Sequence, residues 1–269
     1  TPRFAVIGYG KLGGKELGYA SDLDIVFLYD DEDEQAPVIY ARLAQRINTW
    51  LTTLTPAGLL YDTDLRLRPD GNAGLLVSSV EAFRNYQTHH AWTWEHQALT
   101  RARFACGDAD IGAAFEAFRR ELLCVPRDPA KLRGEVLEMR EKMRAGHVND
   151  SALFDLKHDP GGIVDVEFAV QYLVLAHAHA HPGLTDNIGN IALLRRAAEL
   201  GLLSESIALP AADAYRELRR MQHAVKLGGA EFARVPHLDT DGYPEAVRAL
   251  WTEVMAEPAA HGDGAAKLA

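Results

Sequence analysis

Asp22 and Asp24 stand two residues apart in Ser21-Asp-Leu-Asp24-Ile-Val-Phe-Leu, shortly after the glycine run Gly10-Lys-Leu-Gly-Gly14. On a strand, residues i and i+2 face the same side, so the two carboxylates project together. Two like charges that close resist burial unless a cation lies between them, and a hard divalent ion such as Mg2+ suits such oxygen donors. The strand continues through Ile25-Val-Phe-Leu, so both acids are expected to be largely buried. A glycine turn beside the pair leaves room for backbone amides to contact phosphate. The chemistry that fits this pattern is the handling of a nucleoside triphosphate.

Holding two divalent ions firmly calls for a third carboxylate, and Tyr61-Asp-Thr-Asp64-Leu-Arg-Leu-Arg68 supplies candidates. If residues 59–67 form a strand, Asp62, Asp64, Arg66 and Arg68 share one face. Two ions about 3.5 to 4 Å apart would align an attacking oxygen with a leaving pyrophosphate. Arginines on the same face would offset charge building on the phosphates. Spacing leaves the choice between Asp62 and Asp64 open, and Asp62 and Arg68 also read as solvated charges on a wet face. No separate general base is evident.

The elements that must position these residues form an α+β pattern. Strands are expected near residues 3–8, 22–29, 59–67 and 75–78, with an amphipathic helix over about 37–54 and another after residue 78. Gly8-Tyr-Gly-Lys-Leu-Gly13 also fits a dinucleotide fingerprint, which would need a crossover helix before its second strand. Only Lys15 to Ala20 separate the last glycine from Ser21, too few for such a helix, and the dinucleotide reading fails. From Ile111 onward apolar residues recur at helical spacing and strand signals disappear, which predicts a helical bundle. The organisation expected is a core over 1–107, a helical bundle over 108–256 and a flexible tail over 257–269.

The 48% hydrophobic content of the 269 residues is ample for substantial cores. A formal charge of −10 argues against a broad surface for nucleic acid or anionic membrane. Cys106 and Cys124 form no metal or disulfide framework, and no apolar run is long enough to span a membrane. These features point to the cytoplasm. The start at Thr1, directly before a strand, suggests an excised piece of a longer polypeptide.

Taken together, the glycine run, Ser21-Asp-Leu-Asp24, Asp64-x-Arg-Leu-Arg-Pro69, Ala91-Trp-Thr-Trp-Glu-His-Gln-Ala-Leu-Thr-Arg-Ala-Arg103 and Phe154-Asp-Leu-Lys-x-x-x-Gly-Gly-Ile-x-Asp-Val-Glu-Phe168 resemble glutamine synthetase adenylyltransferase. The resemblance extends from Thr1 to about Leu227. That family carries two related modules, one attaching AMP to glutamine synthetase and one removing it by phosphorolysis. The Trp-Thr-Trp-Glu-His-Gln run, Met139-Arg-Glu-Lys-Met143, Asp165 and Glu167 resemble the attaching module at the C-terminal end. The resemblance implies a polymerase-beta-like nucleotidyltransferase core followed by an all-α domain. It carries metal-binding and catalytic roles onto Asp22, Asp24 and Asp64, choosing Asp64 over Asp62, with Mg2+ or Mn2+ as the ion. ATP would be the substrate, with Gly13, Gly14, Ser21, Arg66 and Lys157 near its phosphates. Glutamine synthetase would be the partner, and PII signal-transduction proteins would act through the full-length enzyme. Phosphorolytic removal and a catalytically silent nucleotide-sensing or docking domain are the alternatives. The intact acids count against silence.

Two further features have plain readings. Lys157, Gly161 and Gly162 lead into a helix with Asp165 and Glu167 in or near its first turn, where acids complement the helix dipole. That is a helix start, or an element closing over ATP or placing the target loop. Trp92, Trp94, Glu95, Arg101 and Arg103 suit packing and ion pairing between the halves better than catalysis, with a place in the cleft as the alternative for Glu95 and Arg103. His177 and His181, one turn apart before Pro182, suit a helix end better than a metal site.

Overall fold

The computed structural model describes residues 2–19 and 21–256, and the expected tail from 257 lies outside them. In chain order the first half contains β1 (Phe4–Gly8), the short α1 (Gly10–Gly13), β2 (Leu23–Tyr29), α2 (Ala36–Thr52), β3 (Thr63–Asp64), β4 (Val77–Ser79), α3 (Val80–His89), α4 (Thr93–Leu99) and β5 (Arg103–Gly107). The sheet runs in the order β3-β2-β1-β5, with β4 pairing a different stretch of β2. β1 is antiparallel to both neighbours, and β3 and β4 are parallel to β2. Phe4 lies opposite Tyr29 and Gly8 opposite Ile25, so the first two strands cannot be the parallel pair of a dinucleotide fold.

β1 and β2 are apolar almost throughout because both faces of the sheet are covered. Phe4, Ile25 and Phe27 pack with Ala36, Tyr40 and Ala44, which recur once per turn along α2. Ala5, Ile7, Val26 and Leu28 point the other way, into a core that runs without a break through Ile111, Phe115, Val174 and Leu218 to Val254. One apolar core thus crosses the division expected at residue 107.

The second half contains α5 (Ala109–Leu123), α6 (Pro129–Ala145), β6 (Phe154–Asp155), α7 (Ile163–His177), α8 (Asn190–Glu199), α9 (Glu205–Leu227), β7 (Arg234–Val235) and α10 (Tyr243–Met255). Asp108 and Asp128 start α5 and α6 by accepting two backbone amides each. α7 is the central helix. From Ile163 to Ala176 every residue except Glu167 is buried, as expected of a helix apolar on all sides.

The structure corrects several expectations. Strand signals do not end at Ile111: Phe154 and Asp155 pair antiparallel with Val235 and Arg234, a ladder too short to show as alternation. β5 adds a strand outside the expected set. The strand expected over 59–67 shrinks to Thr63–Asp64, with Leu59, Leu60 and Tyr61 exposed. Asp64 ends it by accepting the Arg66 amide at 2.8 Å, a turn that draws the chain off the sheet. Among the described residues no helix is long and apolar enough to cross a membrane.

Candidate active site

A cleft of about 570 Å³ opens where β2, β3 and α1 meet α4, α6, α7 and α9. At one end Asp22, Asp24 and Asp64 each bring one carboxylate oxygen within 4.8 Å of the others, the one such group of possible metal ligands among the described residues. The parallel register places Asp24 directly beside Asp64. Burial is less than expected. Asp22 precedes the strand and is exposed, and Asp24 and Asp64 are half-buried, because these positions lie at the open end of the sheet rather than inside it.

The charges at this end are uneven. Burial, reinforced by Asp22 and Asp64, pushes the Asp24 carboxyl up from an ordinary 3.8 to about 6. Arg66 holds the Asp64 carboxyl below its usual range, donating from Nε to Oδ1 at 3.0 Å. Arg66 was expected to face phosphates, but here it pairs with the third carboxylate. Its side chain is 72% exposed, so it can swing away when a cation competes for Asp64. The fit to Mg2+ rests on this: three hard oxygen donors converge, and burial with two neighbouring carboxylates displaces one of them toward its neutral form.

Farther along the cleft lie Lys11, Lys157 and Arg219. Burial lowers the Lys11 ammonium, and the positive charges of Lys157 and Arg219 lower it further. An anion in their midst would relieve that repulsion. Trp94, Met139, Met143 and Phe168 supply apolar wall. α4 is tied to α7 by Gln97 to Gln171 at 3.0 Å, and the turn after α4 by Arg101 to Glu167 at 2.8 Å. Burial raises the Glu167 carboxyl, but the Arg101 guanidinium outweighs it and holds Glu167 below its usual range.

Several expected site residues act differently. The Gly13 and Gly14 amides bond Tyr9 and Gly10 carbonyls at 2.7 and 3.0 Å, so they are committed within their own turn instead of reaching phosphate. A Cβ on Gly13 would lie 2.2 Å from the Arg101 carbonyl, which makes it a packing glycine. The glycine that meets the acids is Gly10, with φ +50° and space for a Cβ only 2.1 Å from Asp24 Oδ2. Ser21 accepts the Gly18 amide at 3.0 Å and shapes the approach to Asp22. Lys157 does line the cleft. Asp62 lies outside the three-acid cluster, in the neighbouring groove with Asn48, and gives its carbonyl to Leu23. Arg68 bonds the carbonyls of Leu65 and Gly74.

The two acids of α7 have separate fates. Asp165, 3% exposed, pairs with buried Arg140 at 2.6 Å and accepts the Gly161 amide, whereas Glu167 faces the cleft. Arg101 does pair across the halves, and Arg103 bonds the Leu12 and Gly13 carbonyls. Glu95 accepts the Trp92 amide at the start of α4, while the Trp92 ring is 71% exposed and packs little. Lys11 sat unnoticed inside the glycine run, where a cation between glycines was a usable signal. Arg219 and Gln222, on a long amphipathic helix, offered none.

The cluster makes Asp64 and Asp62 separable. Asp64→Ala should weaken Mg2+ binding at least about a hundredfold, and Asp62→Ala by less than about threefold. Calorimetric titration with Mg2+ measures both, and an equal loss would mean that Asp64 is not the third ligand.

Comparison with known proteins adds to this geometry. Residues 1–118 match the family described as glutamate-ammonia ligase adenylyltransferase, and residues 131–241 match GlnD PII-uridylyltransferase. Three relatives, each a bifunctional glutamine synthetase adenylyltransferase/adenylyl-removing enzyme, are closely similar. That of Aromatoleum aromaticum is 62% identical over 254 residues, covering 94% of this chain and 27% of the relative. The Bordetella bronchiseptica protein is 59% identical with the same coverage. The Nitrosomonas europaea protein is 58% identical over 268 residues, covering 94% and 29%. The chain thus spans a little over a quarter of the length of these curated relatives.

Proposed function

Because residues 1–118 match the glutamate-ammonia ligase adenylyltransferase family and relatives 58–62% identical cover 94% of the chain, we propose that it transfers AMP from ATP to a tyrosine hydroxyl of glutamine synthetase, with Mg2+ held by Asp22, Asp24 and Asp64. The observation that carries this reading is an acidic and a basic cluster side by side in one cleft. The acidic cluster suits a divalent cation, and Lys11, Lys157 and Arg219 suit a polyanion. A metal–nucleotide complex has both charges.

In the transfer, the hydroxyl oxygen bonds the α-phosphorus as the bond to the bridging oxygen breaks, the hydroxyl proton is released, and pyrophosphate leaves. Bound Mg2+ would supply charge neutralisation and a lowered hydroxyl pKa at the three carboxylates. Lys11, Lys157 and Arg219 meet the negative charge that collects on the departing pyrophosphate. The apolar wall around Trp94, Met139 and Phe168 receives the base and excludes water from that side. Arg101, locked between Glu167 and Glu16, keeps a fixed positive charge beside Asp24.

The relatives' names cover both attachment and removal, so direction needs its own assay. With unmodified glutamine synthetase, ATP and Mg2+, the chain should add one AMP mass per modified subunit and release pyrophosphate. With adenylylated synthetase and inorganic phosphate it should form little ADP. Rapid ADP formation without mass gain in the first assay would reverse the direction. Absence of reaction in both, with ATP bound, would favour a nucleotide-sensing module.

A further inference from the structure

We propose that Glu16 and Tyr215 are positioning residues that set nucleotide affinity, by riveting the turn carrying Lys11 to α9 of the helical half. The inference rests on reading the cleft as a nucleotide site. Glu16 is bonded on three sides. Its amide donates to the Lys11 carbonyl at 2.8 Å. Its carboxylate accepts the Tyr215 hydroxyl at 2.7 Å and has Arg101 at 4.0 Å and the Asn190 amide at 3.5 Å. Its carbonyl accepts from Arg219, itself a cleft residue, at 2.6 Å.

Within the first half, Arg103 holds the carbonyls of Leu12 and Gly13 and Arg101 approaches Glu16. Beyond Gly14 the backbone passes through Lys15 at φ +59°, a left-handed conformation that a lysine keeps only where its surroundings over-determine it. The remaining contacts come from the helical half, more than 170 positions away. Asn187 donates to the carbonyls of Gly13 and Arg101 at 2.9 and 3.0 Å, and Tyr215, Arg219 and His223 follow at one-turn intervals along α9. Gly18 packs so closely on His223 that a Cβ there would lie 2.3 Å from the ring nitrogen.

Loosening this rivet releases Lys11 and Gly10 without removing a group that touches phosphate or metal. Affinity for ATP should therefore suffer more than turnover. Calorimetric binding of a non-hydrolysable ATP analogue with Mg2+ to the whole chain tests this on Glu16→Ala, Glu16→Gln and Tyr215→Phe. Glu16→Ala should weaken binding about tenfold and Tyr215→Phe about fivefold, as expected for lost hydrogen bonds to a charged group. Glu16→Gln keeps an acceptor for the Tyr215 hydroxyl and should return to within about threefold of the parent. In transfer assays KM for ATP should rise in parallel, with kcat of Tyr215→Phe within about twofold of the parent.

Parent-like affinity in Tyr215→Phe and Glu16→Ala, with only their unfolding midpoints lowered, would make the rivet a plain packing contact and overturn the proposal. If Glu16→Ala does not fold, Tyr215→Phe decides alone. A parent that fails to bind the analogue overturns the clamp and the nucleotide reading together. A parent that binds it but modifies no glutamine synthetase defeats only the proposed acceptor, and the affinity comparison still stands.

Discussion

Asp24→Asn is expected to lower AMP transfer by at least about a thousandfold, the scale of a lost metal ligand, while the metal-free protein melts at the same or a higher temperature. The two effects have one cause. Asp24 sits half-buried against Asp22 and Asp64, and its carboxyl is pushed up to about 6. A folded-state pKa above the unfolded one means that ionised Asp24 opposes folding. The penalty is absent below about pH 4, grows as pH rises through 6, and is fully present at neutral pH. Asparagine removes it, so the variant's advantage should reach about 1–2 kcal/mol near pH 7.5 and vanish near pH 4. Adding Mg2+ should raise the melting temperature of the parent and not of the variant. Thermal melts across pH, with and without Mg2+, read all of this, and near-parental transfer would refute the metal assignment.

Arg140→Ala should destabilise the fold by about 3–5 kcal/mol, since it strands a buried carboxylate. Arg140 is 1% exposed and Asp165 3%, and they meet at 2.6 Å where α6 packs on the start of α7. Arg140 also donates to the His158 carbonyl, and Asp165 accepts the Gly161 amide, so the pair holds the loop that follows Lys157, a cleft residue. Transfer should fall along with stability. Replacing both partners, as Arg140→Met with Asp165→Leu, should recover much of the stability, because no charge is then left unpaired, yet should not restore transfer if the loop stays loose. Urea denaturation measures the first claim. A loss below about 1 kcal/mol in Arg140→Ala would show that the pair is solvated in a way its burial denies.

Asp165 and Glu167 mark where sequence reading stops. Both lie in a helical stretch just after a glycine pair, and both complement a helix N-terminus. Which of them lines a cleft depends on what surrounds α7, and that is set by Arg140 on α6 for one and Arg101 next to α4 for the other. The same holds for Gly10 and Gly13. Spacing marks both as turn residues, but only the packed structure separates the glycine that makes way for Asp24 from the one that makes way for the Arg101 carbonyl. Arg66 was legible as a cation beside Asp64, though not as its partner, because an Asx turn and not a continued strand follows Asp64.

What the residues determined by themselves was local: the paired acids at the mouth of β2, the strand and helix periods on either side, and too short a link before Ser21 for a dinucleotide fold. Backbone geometry enforces such features within a few residues, so they survive without knowledge of the rest. The cleft itself was decided only in three dimensions. Lys11 meets Arg219, Glu16 meets Tyr215, and Asp24 meets Asp64 because a continuous apolar core draws the helical half against one face of the sheet. Burial is indifferent to sequence separation, so the contacts it creates leave no spacing to read.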